Sequence, residues 1–450
     1  MQKNSYIWSY FLLSVAGVAY ASLIPFQLKP IPLDEAWAQF ESIPYLTLGP
    51  QSRADWIANI LLYLPLGYFF TAWVDRGSDD SFPRGRSFCL IWSLCFLFAI
   101  GMEFLQVFFP PRTVSLNDII AEGLGALLGM SLWRCFGEWG LRLWSRIRKG
   151  SEGALQAGFA FYGLIFLTYS LFPFDFIVSL TELSWKVSSG KWGGVLTAAS
   201  RQGCLRTGLS LLLETCSVIP FGVYLLIKCL RGKPGVAAAL IAGVGGGAIL
   251  EIAQFFLVSG TSQGASVLAK TAGVSIGVFL PKYLSGRSFR WIRAKAPRMV
   301  LIASIPYIVA ITYLKGWLTH PWIGIEMGWY KLNYPLAIPF YHHYFSSETV
   351  ALLSVMLNAA LYGPIGPAVL FFTLGKREDP KHQIAAVGVA ALFAMVMEGG
   401  RLFLGDLRPD FTNVLIAGGS AWAAFRISAM VLGWPWFSLP VEGAHDRHPI

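Results

Sequence analysis

Acidic, amide and basic side chains recur at fixed spacing inside otherwise apolar stretches of this chain. Toward the N-terminus they are Asp55, Asn59, Glu103, Gln106, Arg112 and Asp118, with Glu122 one helical turn beyond Asp118. Toward the C-terminus the corresponding set is Asn358, Glu398, Arg401, Arg408, Asp410 and Asn413. Charges within apolar membrane segments are costly and usually functional. A carboxylate, a guanidinium and amides gathered at one end of a helix bundle suit a polar head group or a sugar. Two other uses of the same residues stand beside that one. The first is structural: Asp118 or Asn117 caps a helix, Glu103 pairs with Arg112 to offset burial, and Asn59 and Gln106 bond between helices. The second is direct chemistry by Glu103 or Asp118 as a base, since burial shifts the acidity of a carboxyl. No nucleophile–base arrangement accompanies them, so no catalytic residue is assigned and a binding role is preferred to an enzymatic one.

The elements that must carry these side chains are membrane helices. Hydrophobic residues make up 55% of the chain and charged residues only 13%, against about 25% charged in soluble domains. Apolar runs near the roughly 20 residues needed to cross a bilayer recur along the whole length. Twelve spans are expected, near Tyr6–Phe26, Trp56–Val74, Phe88–Phe109, Leu116–Phe136, Leu155–Phe174, Thr207–Leu230, Val236–Leu257, Ala265–Leu280, Met299–Trp317, Val350–Leu374, Ile384–Leu404 and Phe411–Val431. The class is all-α integral membrane. A transmembrane barrel would show short alternating segments instead. Ala19-Tyr20-Ala21 resembles a signal-peptide cleavage site. That reading is rejected because Ser22-Leu23-Ile24-Pro25-Phe26 returns as Ser170-Leu171-Phe172-Pro173-Phe174.

Basic residues set the orientation. Arg76, Arg84, Arg86, Arg142, Arg146, Arg148, Lys149, Lys228, Arg231, Lys233, Arg287, Arg290, Arg293, Lys295, Arg298, Lys376, Arg377 and Lys381 fall on one set of connections. These are expected on the cytoplasmic side of a bacterial inner membrane, with both termini. The net charge of +10 is thus a topology signal, and no nucleic-acid partner is implied. Cys89, Cys95, Cys135, Cys204, Cys216 and Cys229 show no metal-ligand spacing and are expected as buried apolar residues. His342-His343 is expected in a solvated outer loop. No metal or other cofactor is implied.

The polar pattern repeats. Glu103, Gln106, Gly125 and Gly129 return 148 residues later as Glu251, Gln254, Gly273 and Gly277, and Glu398 lies 295 residues after Glu103. The chain is therefore expected to hold three parallel four-helix units, at residues 1–149, 150–297 and 298–436, followed by a cytoplasmic tail at 437–450. Basic linkers at Arg142–Lys149 and Arg287–Arg298 separate the units. The middle unit is degenerate: Gly260, Ser266 and Lys270 stand where Arg112, Asp118 and Glu122 would be, and Glu214 replaces Asn59. Glu122 and Lys270 occupy equivalent positions with opposite charge, which points to a structural ion pair between two units.

Asn59…Leu62-Tyr63-Leu64-Pro65-Leu66-Gly67, Glu103-x-x-Gln106 and Arg112…Asp118…Gly125 together resemble the VanZ-like membrane domain, over roughly residues 20–135. The resemblance implies a cell-envelope setting. The family's namesake is linked to resistance to teicoplanin, and other members accompany envelope or exopolysaccharide systems. Expected partners are membrane lipids, an envelope glycan or lipid-linked sugar, and exopolysaccharide or protein-sorting enzymes. Three functions stay open: binding an envelope lipid, glycan or glycopeptide at an outer-facing pocket; secondary transport or flipping of a lipid-linked sugar; and scaffolding.

Overall fold

The structure, a computed structural model, describes residues 5–47, 49–77, 84–149, 152–197, 204–230, 233–283, 286–332, 338–346, 348–373 and 380–432. The expected tail at 437–450 lies outside the described residues. The chain is mostly helical. Its elements in order are α1 (Ser5–Leu23), α2 (Leu33–Glu41), α3 (Pro50–Gly77), α4 (Arg84–Gln106), α5 (Leu116–Lys149), α6 (Glu152–Leu171), α7 (Leu180–Ser188), β1 (Trp192–Gly193), α8 (Cys204–Lys228), α9 (Val236–Phe255), β2 (Ser262–Gln263) and α10 (Gly264–Tyr283). There follow α11 (Gly286–Leu314), α12 (Ile325–Leu332), α13 (Tyr341–Tyr344), α14 (Glu348–Tyr362), α15 (Ile365–Phe372), α16 (Pro380–Arg401) and α17 (Thr412–Leu432). Among the described residues the departures from helix include the short parallel pairing of β1 with β2 and isolated antiparallel bridges of Phe176 with Leu257 and of Trp322 with Leu404.

Among the described residues nine helices are long and apolar enough to cross a membrane, and Gln156–Leu171 and Gly264–Leu280 are shorter apolar helices. The span expected over Val350–Leu374 is broken into α14 and α15 at Gly363-Pro364, where proline cannot donate to the helical ladder. Pro65 and Pro220 sit inside α3 and α8, as membrane helices tolerate. The basic stretches expected as linkers, Arg142–Lys149 and Arg287–Arg298, are helical: they close α5 and open α11. Long basic side chains have good helix propensity, so a positive run need not be a loop.

The distribution of apolar residues is that of a chain solvated by lipid. Leu13, Leu97, Ile241, Ile302 and Leu392 are among many large apolar side chains fully on the surface, whereas Glu103, Glu122, Glu251 and Glu398 are buried. Contiguous apolar surface on this scale would aggregate a soluble monomer. Cys95 is buried, whereas Cys89, Cys135, Cys216 and Cys229 are exposed. The expectation that they are buried thus fails for four of them, because a helix surface facing lipid accepts a thiol as readily as the core does.

Packing divides the chain into two compact units, Met1–Ser275 and Ile276–Ile450. In the first, α3 lies along α5, with α1 against α3 and α4 against α5. Tyr63, Leu66, Ile91, Cys95, Ala99, Met102, Ala126 and Met130 form its core. In the second, α14, α15 and α16 pack on α17 around Tyr362, Ile365, Ala390, Ala394, Ala417 and Ala421. Close approach is made possible by glycine. A Cβ on Gly67 would collide with the carbonyl of Ala126, on Gly125 with that of Ile60, and on Gly129 with that of Leu64. Small residues let membrane helices meet backbone to backbone. The same contacts recur elsewhere, from Gly273 to Thr215 and from Gly366 to Ala421.

This packing gives a first prediction. Gly125→Ala must push α3 and α5 apart and should cost about 1–3 kcal/mol of stability, the usual range for overpacking. Gly101→Ala, whose Cβ meets nothing within 4 Å, should be neutral or slightly stabilising. Unfolding of both variants in detergent, followed by circular dichroism, compares them.

Candidate functional site

Each of three buried glutamates closes a loop in the same way. Glu103, near the end of α4, accepts a hydrogen bond from the backbone N–H of Ser115, twelve residues on, at 3.3 Å. Glu251 in α9 accepts from the N–H of Gln263 at 2.8 Å. Glu398 in α16 accepts from the N–H of Asp410 at 3.0 Å. The three side chains are 1%, 5% and 0% exposed, so their oxygens must find hydrogen-bond donors within the protein.

Around Glu103 the neighbours are polar and largely acidic. Gln106 donates to Glu103 Oε1 at 2.9 Å. Asn59, from α3, donates to Asp118 Oδ1 at 2.7 Å, and the Ser115 hydroxyl donates to Asp118 Oδ2 at 2.6 Å. The N–H of Asp118 bonds back to Ser115 Oγ at 3.2 Å, so Ser115 is the residue that caps α5. Asn117, expected as a possible cap, instead pins the loop before α3 by accepting from Leu46 N and donating to Leu46 O. Arg112 donates to the carbonyl of Ala21, which ties its loop to the end of α1. Asp55 is exposed on α3, one turn before Asn59. Glu122 lies within electrostatic reach of Glu103, Asp118 and Arg112 and beside Tyr63. Its Oε2 is buried without a hydrogen-bond partner, as is the Tyr63 hydroxyl.

The expected pair between Glu122 and Lys270 is replaced by other contacts. Lys270 Nζ lies 2.6 Å from Glu251 Oε1 and 3.1 Å from Glu214 Oε2. The charge on α10 is thus answered by α9 and α8, within hydrogen-bond range. Glu214 and Glu251 share one ammonium, and Gln263, whose N–H also serves Glu251, spans to Ser266 at 3.3 Å.

In the C-terminal unit the polar residues meet most completely. Glu398 accepts from Lys315 Nζ at 2.7 Å, from Asn413 at 2.9 Å and from Arg401 at 2.8 Å, besides the N–H of Asp410. Lys315 also donates to Asn358 Oδ1 at 2.7 Å. These groups border a cavity of about 740 Å³, whose lining includes Lys315, Asn358, Arg401, Arg408, Asp410 and Asn413. His342 lines it too, and His343 Nδ1 stands 3.5 Å from Asp410 Oδ2. The two histidines are half-buried in α13, and the expected solvated loop is not found. Phe340 N–H bonds to Thr412 Oγ1 at 2.8 Å and fastens that segment to the start of α17.

Three lysines matter beyond their value as topology markers. Lys315 is one residue past α11, where the sequence offers only a cation at the end of an apolar run. Lys186 in α7 donates to the carbonyls of Leu257 and Gly260, and Lys331 in α12 donates to those of Leu404 and Leu407 at 2.5 and 2.9 Å. Both hold the loop that follows a buried glutamate. Burial, with Lys191 nearby, pushes the Lys186 ammonium down to about 8, and burial lowers Lys331 as well. Glu182, which receives the Val178 N–H and a 2.6 Å bond from Arg53, is held below the usual carboxylate range. The sequence signal for Lys186 and Lys331 is a short amphipathic stretch between spans, with a lysine in its last turn.

The charge network gives a second prediction. Lys315→Met removes one of two cations on buried Glu398. Breaking such a pair costs about 3–5 kcal/mol, and the remaining Arg401 places the loss at the lower end. Adding Glu398→Gln should recover much of it, because no charge is then stranded. A double-mutant cycle on detergent-solubilised protein reads the coupling, and strictly additive losses would contradict it.

Among the described residues no group of three His, Cys, Asp or Glu side chains is placed to hold a metal ion. No curated protein and no solved structure matches the chain. Residues 3–137, which hold α1, α3, α4 and the first part of α5, match the VanZ/LLP1 family. Together with the nine apolar helices, the match identifies a multi-pass membrane protein carrying a VanZ-like region at its N-terminal end.

Proposed function

We propose that this protein binds a polar molecule of the bacterial cell envelope, the head group of a lipid, a glycan or a glycopeptide, in the cavity of its C-terminal unit. The observation that carries the reading is the 740 Å³ space bordered by Lys315, Asn358, Arg401, Arg408, Asp410 and Asn413. Ligand sites are concave, with a few convergent polar groups fixing orientation. Here the Arg401 guanidinium, Asp410 and two amides are held by the network around Glu398, and the Arg408 guanidinium joins them in the lining. An Arg fork suits phosphate or carboxylate, and the amides suit sugar hydroxyls. The apolar share of the lining, including Leu353, Leu357 and Leu361, accommodates the non-polar part of such a ligand.

The chain is read as twelve crossings in three parallel four-helix units at residues 1–149, 150–297 and 298–436. Support comes from the three glutamates that each accept an N–H twelve residues on, and from Gly67 and Gly366 meeting the carbonyls of Ala126 and Ala421. Phe26 and Phe174, 148 residues apart, both take left-handed backbone, with φ of 60° and 63°. On this reading the basic ends of α5 and α11 lie in the cytoplasm of an inner-membrane protein, and the polar clusters face outward. The middle unit has exchanged a ligand site for the Glu214–Lys270–Glu251 network.

Two measurements test this. Protein purified from native membranes should retain a polar lipid or glycan detectable by mass spectrometry, and Arg408→Ala should lower its occupancy about tenfold. Equal occupancy in both proteins would remove the cavity from the reading. For orientation, single cysteines at Ser145 and Ser288, on a background lacking native cysteines, should resist an impermeant thiol reagent in sealed cells. Strong labelling at either would reverse the topology.

A further inference from the structure

We infer that Glu103, Asp118 and Glu122 of the N-terminal unit form a receptor for a primary ammonium group, the place that Lys270 and Lys315 fill from within the chain in the other two segments. The inference rests on the repeat reading given above.

The starting point is what lies between the buried glutamate and the residue facing it from α8 or α14. At Glu251 the partner is Glu214, and Lys270 Nζ bridges the two at 2.6 and 3.1 Å. At Glu398 the partner is Asn358, and Lys315 Nζ bridges them at 2.7 and 2.7 Å. The two lysines come from different directions. Lys270 is on α10, whereas Lys315 follows the end of α11. They deliver the same group to the same place, so the place itself selects an ammonium.

At Glu103 the residue in the partner's position is Asn59, which donates to Asp118, and both lysine positions are lost. The residue 148 before Lys270 is Glu122, and the residue 295 before Lys315 is Tyr20. An internal cation has thus been exchanged for a third carboxylate. Arg112 is within electrostatic reach, but its described bond goes to the carbonyl of Ala21. Three carboxyl groups against one guanidinium would leave an excess of negative charge in a buried setting, which is costly unless a cation answers it or a carboxyl keeps its proton. The second, independent mark is the orphan oxygen: Glu122 is 1% exposed, and its Oε2 has no hydrogen-bond partner within normal range, with the equally unpartnered Tyr63 hydroxyl beside it. The other acceptors are in use. Gln106 and Ser115 occupy Glu103, and Asn59 and Ser115 occupy Asp118. Glu122 is left to receive the ligand, with second lone pairs on Glu103 and Asp118 completing the set. An ammonium brings three donors on a compact charge, which fits three converging carboxylates. Asn59 and Asp118 are half-buried and Asp55 is exposed, so the amine enters from the polar end of α3.

An ethanolamine lipid head group, an amino sugar and a peptide amine share this chemistry, and the test separates the lipid from a free amine. Full-length protein is reconstituted in nanodiscs of phosphatidylcholine alone, or with one-quarter phosphatidylethanolamine, or in phosphatidylcholine with millimolar ethanolamine in solution. Thermal stability and retained lipid are then measured. The expected result is stabilisation by phosphatidylethanolamine and not by phosphatidylcholine, whose quaternary nitrogen has no N–H to donate. A matching effect of free ethanolamine shows that the ammonium alone is read, and an effect of the lipid alone shows that its phosphate and chains contribute too. Glu122→Gln should weaken apparent affinity at least tenfold. Glu122→Lys places a tethered ammonium where Lys270 has one, so that variant should fold, be at least as stable as the parent, and ignore both amines.

The inference is overturned if neither amine stabilises the parent protein, or if Glu122→Gln responds like the parent, which would mean Glu122 is simply a protonated buried acid. It is equally overturned if Glu122→Lys is less stable than the parent. Ligand retention that depends on Arg408 reports the C-terminal cavity separately, so failure here and failure of that reading are distinguishable.

Discussion

The bond from a buried glutamate to the backbone N–H twelve residues later is the constraint on which the rest depends. A chain leaving one membrane helix and entering the next exposes N–H groups that lipid cannot satisfy. Glu103, Glu251 and Glu398 answer that need at the start of α5, before α10 and before α17. Placing a carboxylate there solves the backbone problem and creates a second one, because the charge is buried. Several of the other polar residues answer that charge. Gln106 and Arg401, both three residues after their glutamate, donate from the same turn. Asn413 donates from the next helix, and lysines arrive from α10 or from the end of α11.

That hierarchy joins the structural and the functional readings of the motif. Glu103 has each of its oxygens engaged by an internal donor, so it is first a scaffold residue. On the proposed reading recognition falls to other groups: Glu122 in the N-terminal unit, and Arg401, Arg408 and Asp410, which line the C-terminal cavity. Short loops, held down by Lys186, Lys331 and the backbone bond from Lys29 to Phe108, keep those groups in place without a large soluble domain.

Much of this was legible in the sequence. Helices stand over the expected apolar stretches because a run of about 20 apolar residues has one stable answer in a bilayer. The gathering of Asn59, Glu103, Gln106 and Asp118, and of Asn358, Glu398, Arg401, Asp410 and Asn413, followed from their placement near the ends of those stretches. Partner choice was not legible. Glu122 and Lys270 have complementary charge at equivalent positions, yet equivalence says where a residue lies within its own bundle and nothing about which bundle it faces. Lys270 found Glu251 on the neighbouring helix, where the bond is short and the burial cost already incurred. Lys315 was hidden for a related reason, since a lysine just past a span looks like an interfacial anchor until the helix end is known to point inward.

The glutamate's structural duty also bears on how any loss of function at this site is to be understood. Glu103→Gln would keep one acceptor for the Ser115 N–H and add donors beside Gln106, so its effect on folding and its effect on binding cannot be separated by phenotype alone. Glu122 carries no described loop-closing bond, and Arg408 is exposed at the cavity. Substitutions there change what the polar ends of the helices can hold while leaving intact the bonds that let those ends exist inside a bilayer. On the proposed reading the chemistry of recognition is therefore carried by residues such as Glu122 and Arg408, and the repeated acid itself is the price of ending one membrane helix and starting the next.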